Sequence, residues 1–168
     1  MIVVSDTSPI TNLAAIGQLD LLSHLYGRIV IPEAVYDEMV AAGKPVPGAI
    51  EVQTLSWIQV QNIDDVQRVA ALQSSQNNID LGEAEAITLA LELNAELLLM
   101  DERRGRALAQ SCGLNVTGLL GVLLQAKRKG LISLVKPLVD ELVEKADFRL
   151  SEQLYLSILQ AANEIEDG

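Results

Sequence analysis

The sequence predicts a single α/β domain in which helices cover a mainly parallel sheet. Three observations point there. Short apolar, β-branched runs alternate with stretches of helical spacing instead of gathering into a block of strands. Asp, Pro or Gly follows most of these runs, and such residues end strands and open turns or helices. With 168 residues and 49% hydrophobic content, the chain can bury one sizeable core but falls short of a second full domain.

The elements follow in order. "MIVVS" predicts a first strand, stopped by "DTSP", where Ser8 is placed to cap a helix and Pro9 to sit in its first turn. That helix reads on through "ITNLAAIGQLDLLSHL" with a bend at Gly17, and "GRIVIP" gives a second strand ended by Pro32. From Glu33, "EAVYDEMVAAG" has helical spacing and stops at Gly43. "KPVPGAIEV" reads as a surface connection, followed by a weak strand near Trp57 to Val60. A polar helix around Asp64 to Ser74 and the loop "SSQNNI" lead to "DLGEAEAITLALELNA", whose composition favours helix, and then to the buried strand "ELLLM". "ERRGRALAQSCG" reads as a helix ending near Gly113 and "LNVTG" as a last short strand. "GLLGVLLQAKRKG" and the segments from Leu134 to Ile165 add C-terminal helices. The closing "EIEDG" reads as a frayed acidic end.

Composition removes several chemistries. Cys112 is the only cysteine, which excludes an intramolecular disulfide and a multi-cysteine zinc site. His24, the only histidine, reads as a helix-end residue, and its solitude excludes His-rich metal sites and HExxH helices. No basic segment followed by an apolar stretch opens the chain, and no apolar run is long enough to span a bilayer, so a soluble cytoplasmic protein is expected. With 23 acids against 12 bases, the net charge of -11 opposes nonspecific attraction to a nucleic-acid backbone.

The acids carry the functional signal. Open parallel sheets bind ligands outside the carboxyl ends of their strands, and both Asp6 and Asp101 fall just past such an end. Either one is equally placed to cap the helix that follows. Asp80 and Glu83 have the D-x-x-E spacing of a capping box, which is the stronger reading for Asp80. Glu38 shares its helix with Glu33 and Asp37, which read as a solvated face. Carboxylates drawn into one cleft repel one another, and a cation is the usual remedy. With His and Cys excluded by count, oxygen ligands favour Mg²⁺ or Mn²⁺, which can activate a water and neutralise charge developing on a phosphodiester.

Four stretches, "VVSDTSPITNL", "IPEAVYDEM", "LGEAEAITLALELNAELLLMDERRGR" and "GLNVTGLLGVLL", resemble those of PIN-domain proteins of the VapC-like toxin ribonuclease kind, over about residues 1–130. The resemblance implies a three-layer α/β/α fold, with residues 1–130 as the nuclease domain and 131–168 as a helical extension packed on it. It also implies a metal-dependent endoribonuclease that hydrolyses RNA, a small antitoxin partner and a homodimer. Asp6 matches the family's first-strand acid, Glu38 the helix acid, Glu83 the acid opening the central helix, and Asp101 the acid after the fourth strand. Asp6 and Asp101 would bind the ion directly or activate water, Glu38 and Glu83 would hold the ion directly or through water, and Ser8 and Thr117 would add hydroxyl support. Two departures stand out. The third acid is Glu83 where many relatives have Asp, with Asp80 one turn away as a fifth candidate, and the chain continues to Gly168 where many relatives end soon after the last strand.

Arg103, Arg104 and Arg106 fall in the first turns of a helix, where the dipole disfavours cations, so they are candidate phosphate contacts beside Asp101. A solvated arginine face or pairing with the acids is the plainer alternative. Lys127, Arg128 and Lys129 form a second basic patch. Two other function classes compete. "DTS" after a first strand resembles the phosphoryl-transfer site of haloacid-dehalogenase-like phosphatases, with Asp6 as nucleophile, although the usual second acid falls at Ser8. A phosphoreceiver would need a lysine that "LNVTG" lacks, and a non-catalytic interaction module would use the same fold to bind a protein through its C-terminal helices.

Overall fold

The inner strands VVS, IVIP and LLL are short, largely apolar and buried runs, as a sheet covered on both sides requires, whereas the edge strand IQVQ alternates and is mostly exposed. A computed structural model describes residues 1–41, 43, 46–75 and 78–165, and readings that fall on residues 42, 44, 45, 76, 77 and 166–168 lie outside it. Within the described residues, β1 (Val3–Ser5), β2 (Ile29–Pro32), β3 (Ile58–Gln61), β4 (Leu97–Leu99) and β5 (Val116–Thr117) form one five-stranded sheet in the order β3-β2-β1-β4-β5. Every pairing is parallel. Alternation along the strands splits the core. Val3 and Leu99 face a cluster built with α1 (Thr7–Ala15), α2 (Asp20–Tyr26), α8 (Leu119–Arg128) and α9 (Lys136–Lys145). Val4 and Leu98 face a second cluster built with α5 (Val66–Gln73), α6 (Leu81–Glu92) and α7 (Arg103–Ser111). The expected three-layer α/β/α architecture is the one observed.

Two readings of the chain are corrected, and one cap moves. The first helix does not bend at Gly17 but ends at Ala15. Gly17 has a φ of +70° and the amide of Gln18 returns to the Leu13 carbonyl, a left-handed stop after which α2 begins anew at Asp20. The connection "KPVPGAIEV" hides a short helix, α4 (Ala49–Thr54), whose two preceding prolines and glycine masked its onset. Ser8 is not a cap: Asp6 occupies the N-cap position of α1 and Ser8 lies inside the first turn. The remaining elements, α3 (Glu33–Val40) and α10 (Glu152–Ala161) included, fall within the ranges the sequence predicts, except that β3 lies one residue later than the expected Trp57 to Val60.

The route of the chain places the site. From β1 the chain moves outward through β2 to β3, then returns to the other side of β1 for β4 and continues to β5. The order reverses between β1 and β4, and ligand crevices of open α/β sheets form at the carboxyl edge of such a switch point.

Candidate active site

Asp6 and Asp101 emerge at that switch point. Ser5 pairs with Leu99, and the Asp6 amide donates to the Leu99 carbonyl at 2.9 Å, so the two carboxyl groups leave neighbouring strands at the same edge. Neither side chain caps the helix that follows it, the N-cap of α7 being Glu102. Asp101 instead accepts the amide of Leu119, at the start of α8, at 2.6 Å, and the Ser8 hydroxyl at 3.2 Å.

The other acids arrive from helices. At the start of α6, Asp80 and Glu83 form a complete capping box: the Glu83 amide donates to Asp80 Oδ1 at 2.8 Å and the Asp80 amide to Glu83 Oε2 at 3.3 Å. Glu38 reaches in from α3, where its Oε2 accepts the Thr7 hydroxyl at 2.9 Å. All five predicted acids line one cleft of about 440 Å³, together with Glu102 and Asp147. Gly82 shows how closely three of them approach. A Cβ there would lie 3.0 Å from Glu38 Oε2, 3.5 Å from Asp80 Oδ1 and 3.7 Å from Asp6 Oδ1.

Burial and mutual repulsion set the electrostatics. Asp6, only 6% exposed, is pushed up to about 8 from an ordinary 3.8. Loss of solvent is the largest cause, and Glu83, Asp80 and Glu38 add repulsion that the Thr7 amide only partly offsets. Glu83 is raised from 4.5 to about 7 by burial first and then by Asp80, Glu102 and Glu38, against the pull of the Asp80 amide. Asp101 is raised chiefly by burial, while the Leu119 amide, the Ser8 hydroxyl and the charge of Arg106 oppose the rise. Ion pairs among the described residues join Arg68 to Asp65, Lys127 to Glu164, Lys136 to Asp140 and Lys145 to Glu141, and none reaches a cleft acid.

The donors in this cleft are hard carboxylate oxygens, and they fit Mg²⁺ or Mn²⁺ in chemistry. Their present orientations do not close a coordination sphere: among the described residues no three acid, histidine or cysteine side chains are disposed to hold an ion as they stand. Asp80 and Glu83 are turned to each other's amides and Asp101 to Leu119. Glu38, held only by the Thr7 hydroxyl, lies on the exposed side of the cleft.

The remaining predicted site residues separate. Ser8 joins the cleft through Asp101, whereas Thr117 lines a neighbouring groove that shares Asp101 with it. Arg106 is half-buried beside Asp101 and close to Gly118, but Arg103 and Arg104 are exposed on α7 and line neither the cleft nor that groove. Sequence reading missed Glu102, Thr7 and Asn12 as cleft residues. A signal existed for two of them, since Thr7, Ser8, Thr11 and Asn12 form a polar stripe at helical spacing on an otherwise apolar α1. Phe148 and Arg149, which close the far wall, carried no local signal. Residues 2–164 match the family model described as PIN domain. No curated protein matches the chain.

Proposed function

Because the chain belongs to the PIN-domain family, whose members are generally nucleases that act on nucleic acid and typically use divalent metal ions, we propose that it is a Mg²⁺- or Mn²⁺-dependent endoribonuclease. The observation that carries this reading is the convergence of Asp6, Glu38, Asp80, Glu83 and Asp101 on one cleft at the sheet's switch point, where no ion pair among the described residues reaches them. A bound divalent ion would supply an activated water and neutralise charge on the scissile phosphodiester.

The protein's own groups then divide the work. Asp6 and Asp101, fixed by adjacent strands, are the rigid ligands or orient the attacking water, and Ser8 holds Asp101 in place. Glu38 and Glu83, on longer arms, would complete the ligand set, with Asp80 able to substitute from the same helix turn as Glu83. Arg106 stands next to Asp101, where a phosphate would sit, and Arg103 and Arg104 extend a basic face outward along α7. The proposal includes the biology of the VapC-like resemblance: a toxin restrained by a small antitoxin, acting in the cytoplasm as a homodimer, with residues 131–168 as an extension of a nuclease domain over residues 1–130. The haloacid-dehalogenase-like alternative gains no support, because position 8, where its second acid would stand, is a serine that donates to Asp101.

The test is cleavage of a mixed pool of structured RNAs by the purified chain with Mg²⁺, Mn²⁺ or EDTA, beside Asp101→Asn. The Asn side-chain oxygen can still accept the Leu119 amide, so the fold should survive while cleavage falls by at least about 100-fold. Cleavage that resists EDTA, or an undiminished rate in the variant, would overturn the assignment.

A further inference from the structure

The acid cleft adjoins a second groove, of about 570 Å³, lined by β5, the start of α8 and α10. Asp101, Phe148 and Arg149 line both spaces, so the turn between α9 and α10 forms the ridge that separates them. That ridge is held in shape. Asp147 has a left-handed φ of 51°, which turns the chain sharply after α9, and the Phe148 amide donates back to the Leu142 carbonyl at 3.1 Å. Phe148 is half-buried against the core, and Arg149 is exposed beside it.

The groove beyond the ridge has Leu120, Leu124 and Ile158 among its lining and also includes Arg106. On a chain of net charge -11, Arg106 and Arg149 thus line the groove that adjoins the acid cleft at Asp101. A nucleotide has the matching chemistry, an anionic phosphate joined to a flat apolar base. We infer that the Phe148–Arg149 ridge is a nucleotide subsite in which Phe148 stacks an unpaired base next to the scissile phosphate while Arg149 and Arg106 contact flanking phosphates. The inference rests on the nuclease reading above and adds to it the residues that seat the RNA, from a part of the chain beyond all the predicted site acids.

Binding tests it without recourse to cleavage. The full chain, in Ca²⁺ to limit hydrolysis, is titrated with short single-stranded oligoribonucleotides in which one abasic position is moved along the strand. In the unaltered protein, removal of the stacked base at one position should weaken binding about tenfold. In Phe148→Leu, which keeps the buried contact apolar, the same removal should have no further effect, and Phe148→Tyr should restore it. Arg149→Ala should reduce the salt dependence of binding, lowering the slope of log affinity against log salt by about 0.7. An abasic penalty of equal size in Phe148→Leu would overturn the subsite, as would the absence of any position-specific penalty in the unaltered chain, the result expected if the groove docks a protein. RNA cleavage without the Phe148 coupling would sink this inference alone. The coupling without any metal-dependent cleavage would sink the hydrolytic reading and leave the subsite standing.

Discussion

Asp6 and Glu164 are both enclosed acids, near opposite ends of the chain, and the fold treats them in opposite ways. Glu164 accepts the amides of Val135 at 2.7 Å and Lys136 at 2.8 Å and pairs with the Lys127 ammonium at 2.9 Å, while that ammonium also binds the Ala162 carbonyl. Burial alone would push Glu164 up, but these donors outweigh it and hold the carboxyl below its ordinary range. Asp6 has one backbone amide in its favour and three carboxylates against it, and burial takes it to about 8. A protein able to build a fitted socket for Glu164 leaves Asp6, crowded by three other acids, without one. Folding alone gives no reason for that difference, and the divalent ion of the proposed function would supply one.

The largest effect expected from breaking the comparison is a difference in sign between two neutral replacements. Glu164→Gln discards charge-assisted bonds and leaves Lys127 without its partner, and it should destabilise the protein by about 1–3 kcal/mol. Asp6→Asn removes a buried charge, and near pH 8 without metal it should leave stability unchanged or raise it. Urea unfolding of both variants in EDTA measures the pair, and a comparable loss in each would mean that Asp6 too sits in a stabilising socket.

Titration sharpens the same contrast at a smaller scale. The folded values of Asp6 and Glu83 lie above their ordinary 3.8 and 4.5, so the folded state binds more protons than the unfolded chain between those values and about 8 and 7. Their contribution to stability is thus present at low pH and is lost as pH rises through about 7 to 8. Glu164 contributes in the other direction, its stabilisation present above 4.5 and lost as pH falls through its lowered value. In EDTA the melting temperature of the unaltered chain, relative to Asp6→Asn, should drop as pH is raised across that window. Mg²⁺ should recover the loss and stabilise more at the alkaline end, where no proton must be expelled to bind it. A Mg²⁺ effect independent of pH would separate the ion from these acids.

The smallest change probes the space between the acids. Gly82→Ala introduces a methyl group 3.0 Å from Glu38 Oε2 while improving the helix propensity of α6. Metal affinity, followed by calorimetry, should fall several-fold with no loss of thermal stability. Unchanged affinity would show that Glu38 binds nothing from that position.

How much of this was legible depends on the distance between partners. The Asp80–Glu83 box is a local pattern and was readable because both residues lie in one helical turn. The acceptor role of Asp101 toward Leu119 was not, since the partner lies 18 positions on and reaches it only after β5 has paired with β4. For the same reason Arg106 was singled out together with Arg103 and Arg104, although only Arg106 ends beside Asp101. α4 escaped because its prolines and glycine advertise a loop more loudly than its six residues advertise a helix.

By itself the sequence determined the class of fold, the strand edge at which Asp6 and Asp101 emerge, and the oxygen-only chemistry available to the site. These follow from hydrophobic period, turn residues and composition, which act within a few residues or over the whole count. Only the tertiary structure decided which acids lose water together, which are turned to amides, and that Phe148 and Arg149 close the cleft. Desolvation and Coulomb repulsion depend on distances through space, and those exist only once the sheet has brought remote segments to one edge.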